Sequence, residues 1–310
     1  MRYLVLGANG QTASYLIERL LEDEHTVIGV SRTINPHGDK RVLNLILDLR
    51  NIQKLQGLLQ DTQPDVVVNL ASKSSVVACE IDPEDSNQIN YLMVLRLIDE
   101  IIRYNNEFRK DIGLIHCSSS EMYSGHGAFE VFEHSQLNPT SVYGRHKALA
   151  HDYLISMRDK GLLRGSSAIL FNHESPRRPK TFVSQKIVSG AKDISIGKIE
   201  FLTLGNVLIQ RDWGYAKDYA NAIRLISASN TLQDFVIASG KLHTILDFVE
   251  RAFSFYGIKV NDTTLKLDQS LFRNRDNDAL FGNPISIHNE LGWSPTVNFE
   301  ELVDLMCASI

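Results

Sequence analysis

The sequence predicts an α/β fold, a doubly wound parallel sheet with a smaller C-terminal lobe, and three observations carry that reading. Short apolar runs alternate with helical patterns through the first half of the chain. The first run leads directly into a glycine-rich turn that opens a helix, as at the start of a βαβ unit. The runs are apolar on both faces, as strands covered by helices on both sides must be.

Taken in order, residues 2–6 (Arg2-Tyr3-Leu4-Val5-Leu6) read as a strand and 11–22 as a helix. Further strand-like runs fall at 26–30, 43–47, 65–70, 112–117 and 166–171, with helical stretches at about 51–61, 87–105 and 142–160. After residue 172 the texture changes. The segment 173–185 holds Pro176, Arg177, Arg178, Pro179 and Lys180, which predicts a loop with clustered positive charge. A strand-like Ile199-Glu200-Phe201-Leu202-Thr203-Leu204 follows, then a helix near 216–228, a strand near 234–238 and a helix near 244–256. The tail 283–307 is turn-rich and then helical. These late segments are expected to lie over the carboxyl edge of the sheet, where open α/β sheets bind ligands.

The 310 residues carry 32 Lys plus Arg against 37 Asp plus Glu, a net charge of −5, so there is no basic excess for a nucleic acid. Apolar residues are 43% and charged residues 22%, the mix of a globular protein with a sizeable core. The only cysteines, Cys79, Cys117 and Cys307, are too far apart for a disulfide framework or a zinc knuckle. His146 and His151 are five apart and do not share a helical face as metal ligands at i and i+4 would, so no metal is expected. No apolar run approaches the roughly 18 residues that cross a bilayer, and no secretory leader pattern opens the chain. The expectation is a cytoplasmic protein that engages neither membrane nor nucleic acid.

Gly7-Ala8-Asn9-Gly10-Gln11-Thr12-Ala13 sits between the first strand and the first helix. Gly7 permits the tight turn, Gly10 lets backbone approach a pyrophosphate, and small Ala13 allows close helix–strand packing. The helix start then offers free N–H groups and the positive end of its dipole. In this strand–turn–helix setting the motif points to a dinucleotide and to a Rossmann-type sheet. An acidic residue at the end of the second strand would suit NAD. Ser31-Arg32 stands there instead, and Arg accommodates a 2′-phosphate, which favours NADP with NAD as the alternative. Arg32 otherwise reads as a solvated loop charge. Asp48 either accepts a hydrogen bond from the adenine amino group or caps the helix 50–61.

Tyr143-Gly144-Arg145-His146-Lys147 puts Tyr and Lys at i and i+4 on one helical face. A Tyr with a pKa near 10 is a poor base at neutral pH, and an ammonium one turn away is expected to lower it. The hydroxyl cluster Cys117-Ser118-Ser119-Ser120-Glu121 ends a strand at the ligand-binding edge. Ser119 can bridge a substrate oxygen to the Tyr, and Glu121 can act as general acid or base; otherwise it is a helix-start charge. Trp213 and Trp293 are expected to pack. The face Tyr91-Met93-Val94-Leu97-Ile98-Ile101 is expected to be core or subunit contact.

With these residues in hand, the chain resembles an extended short-chain dehydrogenase/reductase, and within that superfamily it is similar to the GDP-mannose 4,6-dehydratase family. The likeness is carried by Leu170-Phe171-Asn172-His173-Glu174-Ser175-Pro176-Arg177-Arg178, Thr181-Phe182-Val183 and Gln210-Arg211-Asp212-Trp213-Gly214-Tyr215-Ala216-Lys217-Asp218-Tyr219, and runs from the glycine loop to Leu291-Gly292-Trp293. It implies a sugar-nucleotide lyase with Ser119, Glu121, Tyr143 and Lys147 as the catalytic set. Tyr143 would take the C4 hydroxyl proton while hydride passes to the cofactor. Glu121 would remove the C5 proton and help expel the C6 hydroxyl as water. The expected cofactor contacts are Gly7, Asn9, Gly10, Gln11, Thr12, Arg32, Asp48, Leu49, Leu70, Ala71, Ser72, Tyr143, Lys147, His173 and Arg178. The expected substrate contacts are Ser75, Ser120, Asn172, Val183, Lys186, Arg211, Arg273 and Asp276. The implied partner is a GDP-linked sugar, in a homodimer or homotetramer.

On that reading residues 1–172 form the dinucleotide-binding domain, to which about 205–245 returns, and 173–310 form mainly the sugar-nucleotide-binding lobe. Departures from the family pattern fall at Ser119 (Thr in the family), Lys73-Ser74-Ser75, Ser31-Arg32-Thr33-Ile34 and Arg273-Asn274-Arg275-Asp276. They leave room for a GDP-heptose or another nucleotide base. A 4-keto reductase or C4 epimerase of the same superfamily would need no base at C5, so Glu121 discriminates against it. A non-catalytic NADP-binding regulator would need none of Ser119, Tyr143 and Lys147.

Overall fold

A computed structural model describes residues 1–34, 39–229, 231–272 and 279–310. The first half alternates strand and helix: β1 (Arg2–Leu6), α1 (Gln11–Glu22), β2 (Thr26–Ser31), β3 (Val42–Ile46), α2 (Ile52–Thr62) and β4 (Val66–Asn69). Next come α3 (Val76–Ile81), α4 (Pro83–Asn87), α5 (Met93–Phe108), β5 (Gly113–Ser119), β6 (Phe129–Val131), α6 (Val142–Asp159) and β7 (Gly165–Leu170). The second half holds β8 (Asn172–Glu174), α7 (Val183–Ser195), β9 (Leu202–Leu204), β10 (Gln210–Tyr215), α8 (Ala216–Ala228), β11 (Phe235–Ile237) and β12 (Leu242–Thr244). It closes with α9 (Ile245–Phe255), β13 (Leu265–Leu267), β14 (Ala279–Gly282), α10 (Ile285–Leu291) and α11 (Phe299–Ala308).

The main sheet has seven strands in the order β11-β7-β5-β4-β1-β2-β3, all parallel. This is the Rossmann-type doubly wound sheet expected from the sequence. The order reverses between β1 and β4, and a crevice opens at their carboxyl ends. Both sheet faces are covered. One core joins β1, β4 and β7 side chains to Leu16 and Leu20 of α1 and Ala220, Ile223 and Ile226 of α8. The other joins Leu4, Leu6 and Val67 to Leu58 of α2, Leu97 and Ile101 of α5, and Leu154 of α6. Met93, Val94, Leu97, Ile98 and Ile101 are fully buried, so that helix face is core.

The lobe has its own core, in which Ile187 and Ala191 of α7, Phe248 and Phe253 of α9 and Val303 and Met306 of α11 meet Trp213. Trp213 lies 5.3 Å from Phe248 and 5.8 Å from Phe299, and Trp293 donates to the Asp218 carbonyl at 3.0 Å. Both tryptophans therefore pack. The lobe's sheet runs β12-β10-β14-β6, and β8 pairs with the far half of β10.

Several elements were not apparent from periodicity. The three-residue strands β6, β8, β12 and β13 are too short to show an alternation. Helix α7 was hidden because the Pro- and Arg-rich stretch before it reads as loop beyond its true end near Phe182. The helix expected over 87–105 is three pieces: α4, a π-helical turn at Gln88–Leu92, and α5. The strand expected from Ile199 begins only at Leu202.

One buried carboxylate pins the lobe to the sheet. Asp212 of β10 is fully buried and accepts from Ser239 N at 2.8 Å, Ser239 Oγ at 2.6 Å, Gly240 N at 2.9 Å and Gly282 N at 3.2 Å. Residues 239–240 follow β11 of the main sheet, whereas Gly282 ends β14 of the lobe. Burial pushes the Asp212 carboxyl above its usual range, and the four donors pull it back. Replacing Asp212 by Ala strands those donors in a dry interior and is expected to lower unfolding free energy by about 2–4 kcal/mol, as chemical denaturation would measure. A loss below about 0.5 kcal/mol would show that Asp212 is not the pin.

Candidate active site

The crevice at the switch point is a cleft of about 640 Å³, walled by the main sheet on one side and the lobe on the other. Its floor is set by Gly7. With φ at +82°, Gly7 occupies a left-handed conformation, and a Cβ there would lie 2.8 Å from Leu70 C and Ala71 N. Gly7 thus lets β1 and the turn after β4 touch backbone to backbone, and it packs beneath the cleft. Gly10, Gln11, Thr12 and Ala13 line the cleft itself. Gly10 caps α1 with no side-chain hydrogen bond, so the start of α1, which lines the cleft, has no side-chain cap competing for its free N–H groups. The loop therefore fits a dinucleotide diphosphate.

At the turns after β2 and β3, two of the expected cofactor contacts, Asn9 and Asp48, bond within the protein. Asn9 does not line the cleft; its Nδ2 donates to Thr33 O, Thr33 Oγ1 and Ile34 O, tying the glycine loop to the turn after β2. Arg32 is exposed in that turn. Asp48 does not cap α2, because Asn51 does, accepting from Lys54 N at 3.2 Å. Asp48 is instead gripped by Arg50, which also reaches Asp85, and this pairing holds its carboxyl down to about 2. Leu49 and Ala71 are buried in the core beneath, whereas Leu70 and Ser72 line the cleft.

The reactive groups come from β5 and α6. Strand β5 ends at Ser119, whose Oγ accepts the Glu121 N–H at 3.3 Å and starts a 3₁₀ turn over Ser120–Tyr123. Ser119, Ser120 and Glu121 all line the cleft. Ser141 caps α6, which places Tyr143 in the first turn and Lys147 one turn later. Lys147 is 2% exposed and donates from Nζ to the Cys117 carbonyl at 2.8 Å, fastening α6 to β5.

The charge states depart from the sequence-based expectation. Burial pushes the Tyr143 phenol up to about 12, against hydrogen bonds with Ser72 and Ser119 that lower it. Burial also pulls the Lys147 ammonium down to about 8. Both groups are dry, and desolvation opposes charge on either. Ser72 and Ser119 are hydroxyl neighbours that oppose the rise of the phenol.

Ser72 is itself held. Its Oγ donates to Asn90 Oδ1 at 2.7 Å, and Asn90 Nδ2 donates to the Lys73 carbonyl at 3.1 Å. Asn90 lies fully buried in the π-helical turn. Sequence reasoning missed it, although a lone Asn on an otherwise apolar helix stripe was a readable signal.

The lobe-side wall begins at β8. Asn172, His173, Glu174 and Arg178 line the cleft. His173 Nδ1 lies 2.8 Å from the Phe171 carbonyl, which can only accept, so Nε2 accepts from the Thr12 hydroxyl at 2.8 Å. Burial holds this imidazole down at about 4, hence neutral. Gln11 spans the same gap, donating to the His173 carbonyl and accepting from Ser175 Oγ, each at 2.8 Å. Arg178 pairs with Glu174 at 3.1 Å and lies 3.5 Å over the Phe182 ring. Arg177 faces away, bonding Ser14 and Glu18 and stacking on Tyr15.

Among the expected substrate contacts, Ser75, Ser120, Asn172, Val183 and Arg211 line the cleft. The Ser75 hydroxyl is committed to capping α3, accepting from Ala78 N at 3.2 Å. Lys186 does not line it; its Nζ donates to the Thr203 carbonyl at 2.8 Å on the exposed side of α7. Arg273 and Asp276 lie outside the described residues. Lining residues that the sequence did not single out include Ser74, Asn206, Ile209 and Leu271.

The family model for GDP-mannose 4,6 dehydratase matches residues 4–306. GDP-mannose 4,6 dehydratase 1 of Arabidopsis thaliana is 33% identical, over 98% of this chain and 88% of its own. A UDP-glucose 4-epimerase of Thermus thermophilus in complex with NAD superposes with a TM-score of 0.87 at 22% identity, covering 100% of this chain and 98% of that one. RMD from Pseudomonas aeruginosa, solved with NADPH, gives a TM-score of 0.79 at 21% identity, covering 99% and 98%. The two structures attest to the fold; the family match over nearly the whole chain shows that this protein belongs to the GDP-mannose 4,6 dehydratase family.

Proposed function

We propose that the chain is a sugar-nucleotide 4,6-dehydratase, a lyase acting on GDP-mannose or a close GDP-sugar such as a GDP-heptose. The observation that carries this reading is the carboxyl of Glu121 lining the same cleft as Ser119 and Tyr143. A C4 epimerase or 4-keto reductase has no use for a second base there. The residue types at Ser119, Tyr143 and Lys147 likewise favour an enzyme over a binding-only regulator.

The chain's own groups divide the chemistry. Ser119 and Tyr143 hold the C4 oxygen, and Tyr143, as the phenolate that the Lys147 ammonium one turn away favours, receives the hydroxyl proton. Lys147 orients the phenol from one turn below. A nicotinamide bound at the α1 start and Arg178 would supply the hydride chemistry at C4 and C6 with no net redox, and the proton held by Tyr143 would end on C5. Glu121 takes the C5 proton once C4 is a ketone, then passes a proton to the departing C6 hydroxyl. Arg178 and the α1 start answer the cofactor's phosphates, and Arg211 answers those of the sugar nucleotide.

NADP over NAD rests on Arg32 at the end of β2. The division of labour follows the fold: residues 1–172, joined by α8 and β11, serve the cofactor, and the remainder of 173–310 serves the sugar nucleotide. The family likeness supports a homodimer or homotetramer in the cytoplasm. No helix among the described residues is long and apolar enough to cross a membrane.

Incubation with GDP-, dTDP-, CDP- and UDP-sugars, read by mass spectrometry, is expected to show loss of one water from a GDP-sugar with no net cofactor reduction. Failure with every sugar nucleotide would sink the reading. In Glu121→Gln, dehydration should fall at least 100-fold while transient formation of reduced nicotinamide persists; unchanged dehydration would remove Glu121 from its role.

The Lys147 ammonium gives a stability test. Its folded-state pKa of about 8 lies below the ordinary 10.5, so between those values the unfolded chain holds more protons. The penalty of burying the charge is full below pH 8 and is relieved as pH rises toward 10.5. Relative to Lys147→Met, the unmodified protein should therefore gain on the order of 2 kcal/mol across that window, measured by denaturant unfolding. A constant difference would show that Lys147 titrates normally.

A further inference from the structure

From the first turn of α6 we infer that Ser141 is a positioning residue for Glu121, and thereby for proton removal at C5 in particular. The inference rests on the dehydratase reading above and extends it to a residue outside the cleft, since Ser141 does not line the cavity.

The geometry is specific. Ser141 is buried and caps α6, its Oγ accepting the Gly144 N–H at 3.0 Å. The same oxygen carries one proton, which it donates to Glu121 Oε2 at 3.2 Å. One hydroxyl thus closes the helix that presents Tyr143 and grips the carboxylate that the chemistry needs beside it. Main chain reinforces the contact: a Cβ at Gly144 would collide with the Glu121 carbonyl oxygen, so α6 and the 3₁₀ turn touch where only glycine fits. The phenol and the carboxylate are therefore fixed relative to each other through one turn of helix, rather than each being placed by its own strand.

The helix start has a second anchor. Val142 N donates to Glu80 Oε1 of α3 at 2.7 Å. Removing the Ser141 hydroxyl therefore leaves α6 begun in the same place, and glycine replaces serine at a cap with little loss of stability. The hydroxyl's two jobs, capping and gripping, can be separated on that basis.

The test compares Ser141→Gly, Ser141→Ala and Ser141→Thr with the unmodified enzyme in single turnovers with GDP-mannose and stoichiometric NADP in deuterated water. Two steps are read: formation of reduced nicotinamide, which reports C4 oxidation, and deuterium uptake at C5, which reports proton removal. Ser141→Gly and Ser141→Ala are expected to slow deuterium uptake and kcat 10- to 100-fold, with C4 oxidation changed less than about threefold and KM for the sugar nucleotide unchanged. Ser141→Thr, which restores the hydroxyl, should recover most of the loss. Equal slowing of both steps, or no slowing of either, would overturn the inference while the dehydratase reading stands. Absence of any water loss or cofactor reduction by the unmodified enzyme would overturn both.

Discussion

A lysine ammonium held almost out of solvent against a strand carbonyl is the contact on which the architecture of this cleft depends. Nζ of Lys147 meets the carbonyl of Cys117 two residues before Ser119, so the last hydroxyl of β5 and the first aromatic residue of α6 share one frame. Desolvating a charge that far costs stability. The fold tolerates it because the surrounding sheet is rigid on both faces, each with its own apolar core. The Ser72–Asn90 brace and the Ser141 grip on Glu121 refine the relative placement of groups that the lysine first brings together.

The cofactor side obeys a different constraint, the exclusion of side chains. Gly7 brings the turn after β1 into backbone contact with the turn after β4, and the uncapped start of α1 fills the notch so formed. Gln11 and Thr12 then reach across to His173 and Ser175, so the residues that would cradle a diphosphate are hydrogen-bonded to the wall that faces the sugar nucleotide. Neutral His173 suits this bridge, because an imidazolium would lose the acceptor that the Thr12 hydroxyl uses.

How much of this was legible in the sequence follows from the kind of signal each part leaves. The parallel strands are long, two-sided apolar runs, and the glycine turn sits at a fixed offset from the first of them, so the sheet and its glycine turn could be read directly. Tyr143 and Lys147 are one turn apart, a spacing that survives as pattern. Asp48 and Lys186 were harder, because their partners, Arg50 and the Thr203 carbonyl, compete for the same atoms that a ligand would use, and local competition leaves no trace in spacing. The expected lowering of the Tyr143 pKa is outweighed by burial, which spacing along a helix does not report. Asn90 and Ser141 acquire meaning only when strand, helix and turn converge.

The lobe is woven rather than appended. Its sheet draws β6 from between β5 and α6, β10 from just before α8, and β14 from near the end of the chain, while β11 between them returns to the main sheet. No single cut in the polypeptide separates the two walls of the cleft into contiguous pieces. The lobe cannot be exchanged wholesale for that of a relative, as a cassette could, without importing three crossings of the main-sheet half as well. Altered sugar preference in such a scaffold has to arise side chain by side chain along the loops that rim the cleft.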